Sequence, residues 1–126
     1  MNTPSTFTVD FVARGERPDE WNIVLVEEGP WQKNQIEIHL RKLQGRLFEC
    51  IDAVLDGQLA DKFPDSMGAK IIIQVDGYNL PQKETKEFFD RFSQGVFEID
   101  DYRRALQTSP YTREISLEIR FDSIRL

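Results

Sequence analysis

Apolar and polar residues alternate from Phe7, with Phe7, Val9, Phe11 and Ala13 on one side of the pattern and Thr6, Thr8 and Asp10 on the other. A period of two predicts a strand with one buried face. Arg14 to Glu20 (RGERPDE) is polar and contains both Gly and Pro, and Trp21 to Glu27 reads as a second strand. A polar connection of this length between two such runs predicts a hairpin. Gly29-Pro30 stops the second strand and places Pro30 in the first turn of a helix. Ile36, Leu40, Leu43, Leu47, Ile51 and Val54/Leu55 then recur at three- and four-residue steps, a helical period held for about five turns. Gly45 lies inside this helix, where it costs up to ~1 kcal/mol relative to Ala; a close packing contact is expected there. Gly57 suits the helix C-cap, and Gln58 to Phe63 can add one more turn before Pro64.

Pro64 to Gly68 (PDSMG) is a turn. Lys70 to Asp76 follows as a strand, with Ile71, Ile73 and Val75 on one face and Ile72 on the other, as expected of a central strand. Pro81 opens a second helix whose buried face carries Phe88, Phe89, Phe92 and Val96, and Gly95 ends it. Glu98 to Leu106 reads either as a short third helix or as a loop with one helical turn, and Pro110 stops it. Ile115, Leu117, Ile119 and Phe121 alternate with Ser116, Glu118 and Arg120 in a last strand. The order β-β-α-β-α-β predicts an α+β fold. Right-handed crossovers should place both main helices on one face of a mixed four-stranded sheet. Residues 1–126 form one domain in this reading, with residues 1–5 as a tail.

The span DAVLDGQLADKFPDSMGAKIIIQVDGYNLPQKETKEFF resembles a family of small bacterial proteins of unknown function. The shared features are a helix ending in a DG or SG pair, an L-x-x-x-[FY]-P-D turn, a Gly-centred turn, a β-branched strand and a Pro-led second helix. VDF…VLVEEGPW is similar to that family's opening hairpin and to the tryptophan before its first helix. The resemblance covers roughly residues 7–94. It implies the fold and no activity, because the matching motifs are turns and core positions.

Composition narrows the picture. At 126 residues the chain suits one domain, and 40% hydrophobic with 30% charged residues is a globular profile. No apolar run could span a bilayer, and the N-terminus has no basic-then-apolar secretory pattern. A single cysteine, Cys50, excludes an intrachain disulfide framework and fits a reducing, cytoplasmic setting. Net charge −6 argues against nucleic acid as a partner, since phosphate neutralisation drives such binding. Five arginines fall near the C-terminus (Arg103, Arg104, Arg113, Arg120, Arg125), so the acidic surplus lies earlier.

No residue set announces a chemistry. His39 flanks the apolar stripe of the long helix as a surface or boundary residue, without the companions a zinc site needs. Cys50 falls among Leu47, Ile51 and Val54, as a buried and inert thiol would. Neither a nucleophile elbow nor a phosphate-cradling glycine loop is present. No catalytic, cofactor-binding or metal-ligating residue is therefore assigned. Trp31 is expected to staple the hairpin to the first helix, and Trp21 to be partly exposed.

Two features suggest a binding surface. Glu49, Asp52 and Asp56 form an acidic stripe near the C-terminal end of the long helix, against the sense of its dipole. A partner arginine, for example from the last strand, would resolve that conflict. On the sheet, either Val24 and Val26 or Ile23 and Leu25 must face away from the helices, together with Ile72. A small apolar patch should result, covered by Val96 to Leu106 or by a second copy of the chain. The reading is a non-catalytic protein-interaction or adaptor module with an acidic helix face, binding a protein partner or itself as a homodimer. The alternatives are a small-ligand protein or enzyme with a pocket between the second helix and the sheet, and a structural subunit of a homo-oligomer.

Overall fold

The structure, a computed structural model, describes residues 9–122. The predicted tail, the first part of the first strand around Phe7, and Arg125 lie outside the described residues. Strands β1 (Phe11–Arg14) and β2 (Glu20–Glu28) are followed by helix α1 (Ile36–Leu55), short helix α2 (Gln58–Lys62) and strand β3 (Ala69–Tyr78). Helices α3 (Gln82–Gly95) and α4 (Asp100–Thr108) and strand β4 (Thr112–Phe121) complete the fold. The protein is α+β, with a mixed four-stranded sheet in the order β1-β2-β3-β4. β1 runs antiparallel to β2, while β2, β3 and β4 run parallel.

One face of the sheet carries Ile23, Leu25, Ile71, Ile73, Val75 and Ile115. Leu43, Leu47, Cys50, Ile51 and Val54 of α1 and Phe89 of α3 join these residues in one core, so both main helices cover that face. The inner strand β3 buries Ile71, Ile73 and Val75 completely on the helical side, and on the other side Ile72 is half-buried between Lys70 and the buried Gln74.

Local chemistry displaces several expected boundaries. Alternation in the first strand breaks at Asp10: Val9 and Val12 both pack on the core, while Phe11 lies opposite Val24 on the other face and is 41% exposed. The Asp10 carboxylate holds the Val26 amide at 2.6 Å, a bond that a regular strand could not make at that point. The first helix begins later than Pro30. The chain turns through a cis Gly29–Pro30 bond and a 3-10 turn at Lys33–Gln35 before α1 starts. A Cβ on Gly29 would lie 1.9 Å from the Asn79 carbonyl oxygen, so this crossing of two strand ends admits only glycine.

Gly45 has no packing partner; it is exposed, and a Cβ there would meet nothing within 4 Å. Gly57 is the left-handed residue that ends α1, at φ 95°. The Val96–Leu106 segment lies on the helical side and leaves the open face uncovered. Val96 is part of the core, and the Tyr102 ring sits 5.5 Å from that of Phe48. Trp21 is buried, with Phe63 at 5.7 Å and the Arg14 guanidinium 4.8 Å above its ring.

Candidate functional site

Glu49, Asp52 and Asp56 are all exposed, on α1 and just past its end. No arginine of β4 meets them, and among the described residues none of the three forms an ion pair. The unfavourable end of the helix dipole is offset by neutral donors. Asp52 Oδ1 accepts the Tyr102 hydroxyl at 2.9 Å. Asp56 accepts the Gln58 amide at 3.1 Å and the Gln58 side-chain amide at 2.8 Å, so it caps α2 just after Gly57. Burial, together with the hydrogen bond to the Asp52 carboxylate, pushes the Tyr102 phenol up to about 12. The three side chains stay exposed while the Tyr102–Asp52 bond ties α4 to α1. Phe48 contributes to the same joint, 5.0 Å from Phe92 and edge-on to it.

The open face of the sheet carries more polar groups than the strand pattern suggested. Ile23 and Leu25 turn to the helices, which leaves Val24 and Val26 on the open side with Ile72. Val24 is only 3% exposed, and Val26 and Ile72 are half-buried. Beside them, the Asn22 side-chain amide donates to Gln74 Oε1 at 3.3 Å, and the Gln74 amide donates to Asp76 Oδ1 at 2.8 Å. Gln74 and Asp76 are both buried. At one end of this row is a cavity of about 370 Å³ lined by charges of both signs, among them Arg17, Glu20, Lys70, Glu118 and Arg120. Lys70 lies between Glu20 at 4.0 Å and Glu114 at 3.5 Å.

The reactive residue types have structural settings. Cys50 is fully buried in the core, and burial pushes its thiol up to about 12. His39 stacks on Trp31 at 4.9 Å with the rings 8° from parallel, which fixes the start of α1. Between α3 and the sheet, where the small-ligand alternative places a pocket, Phe89 and Val96 belong to the core. Among the described residues no group of three His, Cys, Asp or Glu side chains could hold a metal ion. No helix among them is long and apolar enough to cross a membrane.

Arg46 of α1 joins the helix to the hairpin, a role absent from the sequence reading. It binds Glu27, the Val26 carbonyl at 3.2 Å and Asp10 at 3.0 Å. Partial burial pushes the Asp10 carboxyl up, but the Val26 amide and the Arg46 guanidinium outweigh it and hold it below the usual aspartate value. The carboxylate partners of Arg46 lie 19 and 36 residues away in sequence, so no local pattern marks the cluster.

The described residues form an α+β fold with one helical layer, an open sheet face of mixed polar and aliphatic residues, and an exposed acidic row. The chain belongs to a family of unknown function, DUF6572, which matches residues 1–107. The match ends within α4, so β4 lies beyond it. No curated protein and no solved structure matches the chain.

Proposed function

We propose that the protein is a non-catalytic interaction module that presents the acidic row of α1 to a basic surface on a protein partner. The observation that supports this is the state of Glu49, Asp52 and Asp56: all three are exposed, and none is neutralised by a cation among the described residues. A solvated acidic face is ordinary. In this one Asp52 and Asp56 are tied by the Tyr102 and Gln58 bonds, and Tyr102 belongs to the same short helix whose start carries the exposed Ile99 followed by Asp100 and Asp101. An aliphatic anchor among fixed charges suits a basic partner, because the charges steer the encounter while the apolar contact holds it. The setting proposed is cytoplasmic, in keeping with the single buried thiol.

The test is affinity capture from lysate of the source cells at low and high salt, with wild type compared with an E49Q/D52N/D56N variant. The expected result is a stoichiometric partner held by the wild type, released at high salt and absent from the variant. Identical capture by both proteins would overturn the reading.

A further inference from the structure

β4 is a ten-residue strand at the end of the sheet, and among the described residues it pairs with β3 alone. Its helix-facing side chains Leu117 and Ile119 are only half-buried, unlike Ile71 and Ile73 beside them. A long strand with one bare edge and a partly apolar face is a template for another strand, and proteins ordinarily blunt such edges with a bulge, a proline or a cover. Between Thr112 and Phe121 there is no proline, and the register shift with β3 falls at the start of the strand, near Ala69 and Lys70.

The charges on β4 indicate which strand fits. Glu114, Ser116, Glu118 and Arg120 lie on the open face. Antiparallel pairing of β4 with a second β4 about an axis through Leu117 places Glu114 opposite Arg120 twice. The same register sets Ile115 against Ile119 and Leu117 against itself on the helical side. Moving the axis by one residue puts Glu114 opposite Glu118, or Glu118 opposite Glu118, and like charges directly opposite are destabilising. Moving it by two residues shortens the ladder, to residues 112–118 about Ile115 or 117–121 about Ile119, and in both cases loses the Glu114–Arg120 pairs. The charges that would repel an arbitrary strand therefore select one register with a copy of the same strand.

We infer that β4 is a self-association edge, through which two copies of this chain form a symmetric dimer with one continuous eight-stranded sheet. The axis passes through Leu117, with Glu114–Arg120 pairs on either side of it. This edge is distinct from the acidic row of α1, so the dimer does not depend on the adaptor reading, and it would present two acidic rows to one partner.

Sedimentation velocity over a concentration series tests the inference with four proteins: wild type, Glu114→Arg, Arg120→Glu and the double swap E114R/R120E. The wild type should move towards twice the monomer mass as concentration rises. Each single reversal places like charges opposite one another and should weaken the dimer at least tenfold. The double swap restores opposite charges and should recover association to within a few-fold of wild type. Since Glu114 also lies near Lys70, circular dichroism melts of all four separate a folding defect from a dimer defect. As an independent measurement, Leu117→Cys should form an intermolecular disulfide under mild oxidation, because the residue faces its own copy. A wild type that stays monomeric up to ~1 mM would overturn the inference. A dimer indifferent to the single reversals, or a double swap that fails to recover in a folded protein, would also overturn it.

Discussion

At the scale of single residues, two glycines make opposite predictions for one substitution. Gly45 is an exposed helix-interior position with open space around its missing Cβ. Gly45→Ala removes backbone freedom from the unfolded chain and meets no neighbour, so it should stabilise the protein by about 0.5–1 kcal/mol. Gly57 has φ 95°, and a Cβ there would come within 2.8 Å of the Tyr111 ring. Gly57→Ala therefore adds left-handed strain of about 1–2 kcal/mol, and the clash with the aromatic side chain adds to it. Urea unfolding of both variants reads the difference. The Gly45 midpoint should rise and the Gly57 midpoint should fall, with the denaturant slope unchanged in each. The sequence marked both glycines and gave the right role to only one. A glycine after an apolar helical stripe has a conformational reason to be there, whereas a glycine inside the helix is explained only by its surroundings, which here are solvent.

At the scale of elements, the strand and helix order could be read because each buried face repeats at its own period. Ile71, Ile73 and Val75 fall on one side of β3, and Leu43, Leu47, Ile51 and Val54 on one side of α1. What could not be read was where one element meets another. The phase break at Asp10 depends on the Val26 amide and Arg46, from 16 and 36 residues away. For Asp52 the conflict with the α1 dipole is likewise eased by a phenol from α4, 50 residues on, which no local pattern indicates. That joint can be tested. Tyr102→Phe removes one hydrogen bond near solvent and should cost about 0.5–1 kcal/mol. The folded phenol titrates at about 12, above the unfolded value of about 10, so the folded state binds this proton more tightly. Its contribution is complete below pH ~10 and is lost as pH rises towards 12. Over that window wild type should lose more stability than Tyr102→Phe, and equal losses would show that the α1–α4 joint does not hold the proton.

At the scale of the molecule, one core serves every element, and Cys50 reports on it. The thiol is at zero exposure within the cluster that joins α1, α3 and the sheet, and burial raises it to about 12. Only the thiolate attacks a disulfide reagent, so in the native state Cys50 is doubly protected, by lack of access and by protonation. Labelling must wait for an opening that exposes the middle of α1. Because α1 packs on the strands and on α3 through one continuous core, no smaller unit can expose Cys50 and leave the rest intact. The free energy of opening obtained from labelling rates should therefore match the global value from urea unfolding, with the same denaturant dependence. An opening much cheaper than global unfolding, with a shallow urea slope, would mean that α1 detaches by itself. The acidic row would then ride on a mobile helix, and the rigid presentation on which the proposed partner depends would be lost.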